Sequence, residues 1–200
     1  MKLYLIRHAQ TEGNLHPEAY PWNNDCPITE EGRRQANALA EFLITSDVTP
    51  TRIIVSPLLR TRQTADILAR KLGQTFHIDE RLREGDIGDW NDWDDATAYA
   101  AFQQIPVEER FTFVPPHGES WQHAGQRVAS VVQEYQSVGT LVLISHYEPL
   151  QAVTGTLLGS GFADWAAYDY PNASLTLLES MNGQAWHADY VGRTIPPDVA

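Results

Sequence analysis

The chain has 200 residues, of which 42% are hydrophobic, and a formal net charge of −12 at pH 7. This size and apolar content predict one domain with a sizeable core, and the negative charge disfavours broad binding to nucleic acid or to a membrane surface. No segment approaches the roughly 18 consecutive apolar residues of a membrane span, so we expect a soluble, cytoplasmic protein. Cys26 is the only cysteine, which excludes an internal disulfide and a thiolate-rich metal site.

Short apolar runs alternate with helical patterns along the chain. Runs of Leu, Ile and Val with little alternation are typical of strands buried on both faces of a parallel sheet. Six strands are predicted, at Lys2–Ile6, Arg52–Val55, Thr75–Ile78, Leu141–Ile144, Ala173–Leu178 and Gln184–Tyr190. The last two join around Asn182-Gly183, a pair that favours a tight turn.

Four amphipathic helices are predicted between these strands from apolar residues at helical spacing. They cover Ala36–Leu43, Ala65–Leu72, Trp121–Tyr135 and Pro149–Leu158. Ser56-Pro57 predicts the start of the second helix, with the serine hydroxyl as its cap. This order of elements predicts an α/β fold whose mostly parallel sheet is sandwiched by helices.

Residues 85–118 do not follow this alternation. They contain six Trp, Tyr and Phe residues but no strong β pattern, which favours a partly helical, lid-like insertion over one face of the sheet. We therefore expect residues 1–200 to form a single domain that carries this insertion.

Polar residues follow the predicted strands at the edge where open α/β sheets bind ligands. Arg7 and His8 follow the first strand, Ser56 and Arg60 the second, Glu84 the third, and Ser145-His146 the fourth. In a parallel sheet, two arginines, two histidines and one carboxylate would meet on this rim.

This set of side chains has a clear chemical use. Guanidinium groups bind and neutralise a phosphoryl group, a neutral imidazole can attack its phosphorus atom, and a second imidazole can donate to it. A carboxyl group can protonate the leaving alcohol and then accept a proton from water. The residues predict phosphoryl transfer through a phosphohistidine, without a metal or other cofactor.

Five ordered segments, spread over most of the chain, are similar to the histidine phosphatase superfamily, the phosphoglycerate mutase-like fold. They are Arg7-His8-Ala9-Gln10-Thr11 with Asn14, Ser56–Ala65, Leu82-Arg83-Glu84 with Gly88, Gly118-Glu119-Ser120, and Ser145-His146.

The resemblance implies a role for each matching residue. His8 matches the phosphorylated nucleophile and Glu84 the proton donor, while Arg7, Asn14, Arg60 and His146 match the phosphate pocket. Glu119 and Ser120 match a segment beside the substrate. The family requires no metal or organic cofactor.

The chain departs from the family pattern at three positions. Ala9 replaces a common glycine, and Tyr147-Glu148 replace the two glycines that usually follow the second histidine. Tyr147 is therefore expected to contact the substrate. Tyr147 and Glu148 together make the part of the pocket that holds the leaving alcohol different from that of other family members.

Three functions are compatible with these residues. The first is a phosphomonoester hydrolase that acts on a small phosphorylated metabolite, the second a bisphosphoglycerate-dependent phosphoglycerate mutase, and the third a non-catalytic phosphate-ligand binder. Between Gly85 and Gln126 the chain has one cation, Arg110, and eight acids. This balance penalises a polyanionic substrate, so the hydrolase is favoured. The oligomeric state and the physiological substrate are not predicted.

Some residues also have simpler explanations. Glu84 could be a surface carboxylate paired with Arg81 or Arg83, and Arg62 is expected to form a structural salt bridge. The other histidines have no metal-ligand spacing, although loops could bring His16 and His117 to the cleft.

Overall fold

The computed structural model describes residues 1–21, 24–160, 167–181 and 185–197. Its sheet contains six strands, which are β1 (Lys2–Arg7), β2 (Arg52–Val55), β3 (His77–Ile78), β4 (Thr140–Ser145), β5 (Leu175–Glu179) and β6 (His187–Arg193). The α-helices of the described ranges are α1 (Glu12–Leu15), α2 (Glu30–Thr45), α3 (Leu59–Leu72), α4 (Asp95–Gln103), α5 (Trp121–Glu134) and α6 (Tyr147–Leu158). Short 3₁₀ helices cover Glu80–Leu82 and Gly88–Trp90. None of these helices combines the length and hydropathy that a membrane span requires.

The strand order is β3-β2-β4-β1-β5-β6. Parallel pairing joins β3 to β2, β2 to β4 and β4 to β1, whereas β5 and β6 pair antiparallel. The mostly parallel α/β sheet predicted from the sequence is therefore confirmed. The carboxyl ends of β1, β2 and β4 lie side by side, which places their following loops on one rim.

Helices cover both faces of the sheet. α2 packs with α3 on one face, and α5 packs with α6 on the other. Tyr4 and Ile6 of β1 belong to the core under the first pair, and Leu3 and Leu5 to the core under the second. This alternation along a strand buries β1 on both sides, so its end is held rigidly.

The start of α3 differs from the prediction. The helix begins at Leu59 rather than at Pro57, and its cap residue, Leu58, has no side-chain hydrogen bond. The Asp25 carboxylate instead accepts from the Leu59 N–H at 2.7 Å. Ser56 is not the cap because its hydroxyl is hydrogen-bonded to His146.

Two strand predictions also change in extent. The third strand is reduced to His77–Ile78, and the last one lies at His187–Arg193. The predicted Asn182-Gly183 turn lies outside the described residues. In the 85–118 segment, a 3₁₀ turn and α4 confirm the partly helical character.

Candidate active site

The predicted rim residues converge at the carboxyl edge of the sheet. β1 ends at Arg7, directly before His8, and pairs in register with β4, so that Arg7 lies opposite Ser145. His8 and His146 approach each other with their ring centroids 5.3 Å apart. The parallel pairing of β1 and β4 therefore brings together two histidines that are far apart in sequence.

His8 is held as a neutral imidazole with one unprotonated ring nitrogen. Its side chain is 2% exposed, and its Nδ1 lies 2.8 Å from the Ala9 carbonyl oxygen. Because a carbonyl only accepts, Nδ1 carries the proton and Nε2 keeps its lone pair. Burial lowers the pKa of His8 well below its usual value, and the charges of Arg60 and Arg7 lower it further.

Arg60 and Arg7 provide the positive charge of the site. The Nε of Arg60 donates to His8 Nε2 at 3.3 Å, and its Nη1 donates to the Asn24 carbonyl at 2.7 Å. Arg7 donates through Nη1 to the Tyr170 carbonyl at 2.7 Å, while its buried Nε has no hydrogen-bond partner among the described residues. Burial lowers the pKa of both guanidinium groups.

His146 lies fully buried behind His8. Its Nε2 is 2.7 Å from the Ser56 hydroxyl. Its Nδ1 has no hydrogen-bond partner in the part of the chain that the structure describes, and it lies 3.8 Å from a carboxylate oxygen of Glu84. If the serine donates, the proton of the neutral ring is on Nδ1. Burial lowers the pKa of His146 well below its usual value, which favours this neutral form.

Glu84 is part of the site rather than a surface carboxylate. Its Oε1 accepts from the Gly85 N–H at 3.0 Å, and the described ion pairs of Arg81 and Arg83 go to other acids. Burial raises the pKa of Glu84, opposed by the charge of Arg60. The carboxyl group is therefore more readily protonated than an exposed glutamate.

Glu119 has a structural partner. It forms a two-pronged ion pair with Arg127, with distances between 2.6 and 3.2 Å. The same guanidinium donates to the backbone carbonyls of Arg81 and Glu84 at 2.7 and 3.1 Å. The pair thus fixes the backbone that carries Glu84, and a direct substrate contact of Glu119 stays a prediction.

The three other residues predicted to contact the substrate are Asn14, Ser120 and Tyr147, and each has a different local environment. The carboxamide oxygen of Asn14 accepts from Thr11 and Asn172, which leaves its NH₂ group as the end that can donate to a ligand. Ser120 caps α5 by accepting from the His123 N–H. The ring of Tyr147 lies 5.1 Å from the Arg7 guanidinium carbon.

These residues surround a cleft of about 530 Å³. Eight of the nine predicted site residues line it, and the ninth, His146, is the fully buried one. The 85–118 segment also contributes to the lining of the cleft, including Trp90, Phe102 and Phe113. His16 and His117 do not line the cleft; they pair with Glu18 and Asp89, respectively.

The sequence alone did not identify several supporting residues. Ser56 was assigned to a helix cap, yet it orients His146, and Arg127 was not assigned a role. The Tyr170 carbonyl and Asn172 also support Arg7 and Asn14. No motif marks these residues; Ser56 alone belongs to a matched segment. Within the described ranges, no group of three or more His, Cys, Asp or Glu residues could hold a metal ion.

The chain matches known proteins over most of its length. Residues 3–192 match the model of the histidine phosphatase superfamily, branch 1. A glucosyl-3-phosphoglycerate phosphatase of Mycobacterium tuberculosis (strain ATCC 25618 / H37Rv) is 32% identical over 191 residues, which cover 88% of this chain and 84% of that protein. A probable phosphoglycerate mutase of Enterobacter sp. (strain 638) is 32% identical over 172 residues, covering 80% and 75% of the two chains.

A solved structure has the same fold. The mycobacterial glucosyl-3-phosphoglycerate phosphatase in complex with VO₃ superposes with a TM-score of 0.83 at 28% identity, covering 96% of this chain and 99% of that one. The sequence match, the sheet order and the convergence of the five motif segments agree. The chain belongs to the histidine phosphatase superfamily, branch 1, and is a phosphoric monoester hydrolase of that family.

Proposed function

We propose that this protein hydrolyses phosphate monoesters of a small metabolite through a phosphohistidine at His8, without a metal. The observation that supports this most directly is the state of His8, which is buried and neutral with its Nε2 lone pair beside Arg60. A neutral imidazole between arginines is a nucleophile, whereas a protonated one could only bind the anion electrostatically.

The donors around His8 fit a phosphoryl group. Arg7 Nε is a buried N–H group without a hydrogen-bond partner among the described residues, and His146 Nδ1 is a second one when Ser56 donates to His146 Nε2. Unsatisfied buried donors are costly, and phosphoryl oxygens would satisfy them. Together with Arg60 and the Asn14 NH₂ group, they would neutralise the three equatorial oxygens in the transition state.

The first half-reaction transfers the phosphoryl group to the enzyme. His8 Nε2 attacks phosphorus, an N–P bond forms, and the P–O bond to the alcohol breaks. Glu84 protonates the departing alkoxide, and its raised pKa favours the protonated form that this step needs. The alcohol then leaves.

The second half-reaction restores the enzyme. Water attacks the phosphohistidine as the Glu84 carboxylate takes its proton, and the N–P bond breaks to release inorganic phosphate. Glu84 ends protonated and His8 ends with a free Nε2, as at the start. The reaction therefore needs no other reactant than water.

The mutase alternative requires more positive charge. A bisphosphorylated ligand has a second phosphate and a carboxylate to be held, and the cations that line the cleft in the described ranges are Arg7, Arg60 and Arg110. The first two lie in the phosphate pocket. A small, singly phosphorylated substrate in the cytoplasm is the simpler proposal, with the lone cysteine compatible with a reducing compartment.

The test is hydrolysis of p-nitrophenyl phosphate in the presence of a metal chelator. We expect turnover by the unmodified protein, its loss in His8→Ala, and normal turnover in His187→Ala, because the imidazole of His187 on β6 pairs with Glu179 of β5. A phosphoryl label on His8, detected by mass spectrometry after rapid quenching, would identify the intermediate. Undiminished turnover in folded His8→Ala would contradict the nucleophile assignment.

A further inference from the structure

The cleft that contains Arg7, His8 and Arg60 is also lined by a group of aromatic side chains from the 85–118 segment, which we call the aromatic wall. Ala98, Tyr99, Phe102 and Gln103 all line it; their spacing places them on one face of α4, with residues four apart in adjacent turns. Tyr99 is 62% exposed, so a large part of its ring is available for contact. Helix α4 therefore presents two aromatic side chains toward the space beyond the phosphate pocket.

Ring contacts within the segment and with Trp121 of α5 fix the position of this wall. Phe102 stacks on Trp121 with ring centroids 5.3 Å apart and an interplanar angle of 12°. Trp90 stacks on Trp93 at 5.4 Å and lies 5.8 Å from Phe113. Rings that are already packed lose little conformational freedom when a ligand binds, so the wall is preorganised. Because Trp121 and Arg110 already contact the Phe102 ring, a flat group would meet that ring at its edge, a geometry that aromatic pairs favour.

The same wall offers little to a second anion. Arg110 is the cation that the 85–118 segment contributes to the cleft. Its Nε and Nη2 donate to the carbonyls of Ile105 and Gln103 at 2.9 Å each, and its guanidinium carbon lies 5.6 Å from the Phe102 ring centroid. Arg110 is thus engaged in holding the segment together.

Acidic side chains in the cleft further disfavour a second anionic group on the substrate. Asp86 and Glu148 also line the cleft. Two further acids of the lining add less negative charge, because Glu84 is proposed to be protonated before turnover and the Arg127 pair neutralises Glu119. The ranges that the structure does not describe contain no lysine or arginine, so they add no formal positive charge. A carboxylate or second phosphate on the alcohol would enter a region of negative potential.

We infer that the alcohol portion of the substrate is an uncharged, flat ring, an aryl or nucleobase-bearing group, that packs against the Phe102 and Trp90 wall while its phosphate binds at Arg7 and Arg60. This inference rests on the proposed function for the phosphate site. The cleft volume of about 530 Å³ lies in the range of small-molecule pockets, and aromatic contacts provide affinity without charge.

The test uses two non-hydrolysable probes of equal linker length, 2-phenylethylphosphonate and 2-carboxyethylphosphonate. Titration calorimetry on the unmodified protein is expected to show the phenyl probe binding about tenfold more tightly, since ring packing favours one probe and like charges disfavour the other. Equal or tighter binding of the carboxyethyl probe, or no binding of either at millimolar concentration, would overturn the inference.

Two variants locate the effect. Phe102→Leu is expected to weaken binding of the phenyl probe by about three- to tenfold and to leave the affinity for the carboxyethyl probe unchanged. Val114→Ala, in the same segment but outside the cleft lining, should change neither. The ratio in the unmodified protein decides the inference even if a variant folds poorly.

The probes separate this inference from the proposed function because their binding needs no turnover. Loss of p-nitrophenyl phosphate hydrolysis from the unmodified protein would contradict the function and not the ring preference. A reversed probe ratio in an active enzyme would contradict only the ring preference.

Discussion

Replacing Arg127 by methionine tests whether the hydrogen bond from Arg127 to the Glu84 carbonyl fixes the position of Glu84. Arg127 connects the Glu119 carboxylate to the carbonyls of Arg81 and Glu84. Methionine keeps much of the aliphatic volume of the side chain but removes every donor. The variant would leave Glu119 without its ion-pair partner and the Glu84 backbone without this support.

The magnitude follows from burial. Breaking a fully buried ion pair costs about 3–5 kcal/mol, and here the two side chains are 19% and 20% exposed, which reduces the cost through solvent screening. We expect the free energy of unfolding to fall by about 2–4 kcal/mol once the two carbonyl hydrogen bonds are included. A less fixed Glu84 should lower kcat for an alkyl phosphate by about tenfold, since general acid catalysis contributes on the order of 10²–10⁴.

The assay combines urea denaturation with two substrates. p-Nitrophenol leaves without needing a proton, so kcat for its phosphate should fall much less than kcat for the alkyl ester. Arg83→Met is the matched control, because Arg83 forms an exposed ion pair with Glu80 at 3.1 Å; it should cost less than about 1 kcal/mol. If the two variants are equally stable, or if Arg127→Met slows both substrates alike, Arg127 does not position the acid.

Three further predictions concern other parts of the structure. Ser56→Ala leaves both nitrogens of the buried His146 ring unpaired, so urea denaturation should show a loss of about 1–3 kcal/mol and phosphatase assays a lower kcat. In a pH series, kcat for an alkyl phosphate should be highest below the raised pKa of Glu84 and should decline as the pH rises through that pKa, because Glu84 loses the proton that it donates to the leaving group. Gly88→Ala should reduce stability by about 1–3 kcal/mol, measured by urea denaturation, since Gly88 has φ of 59° and an added Cβ would lie 2.0 Å from the Pro116 carbonyl oxygen.

Matched controls accompany these measurements. Thr45→Ala removes an exposed hydroxyl that bonds within its own helix, and should change stability far less than Ser56→Ala. Gly73 has nearly the same φ, 62°, with no atom within 4 Å of an added Cβ, so Gly73→Ala isolates the conformational cost from the clash. p-Nitrophenyl phosphate should lack the alkaline decline. Equal effects in any variant and its control, or identical pH profiles for both substrates, would contradict the corresponding argument.

The sequence by itself determined the fold class and predicted a set of site residues that the structure brings together at one cleft. Hydrophobic runs such as Leu3–Ile6 report directly on burial, because a strand buried on both faces has no polar alternation. The chemistry-bearing residues were identifiable because each stands at the end of such a run, or in a motif segment near one. For Arg7, His8, Arg60 and Glu84, local position in the chain was sufficient for the prediction.

Only the tertiary structure decided how these residues act. The hydroxyl of Ser56 contacts His146, 90 positions away, and Arg127 reaches the Glu84 carbonyl from α5; contacts between distant segments leave no local pattern in the sequence. The tautomer and lowered pKa of His8 likewise depend on burial and on Arg60 and Arg7 together. The sequence predicts His8 as the nucleophile, and the packing around it makes the imidazole neutral, oriented and faced by donors.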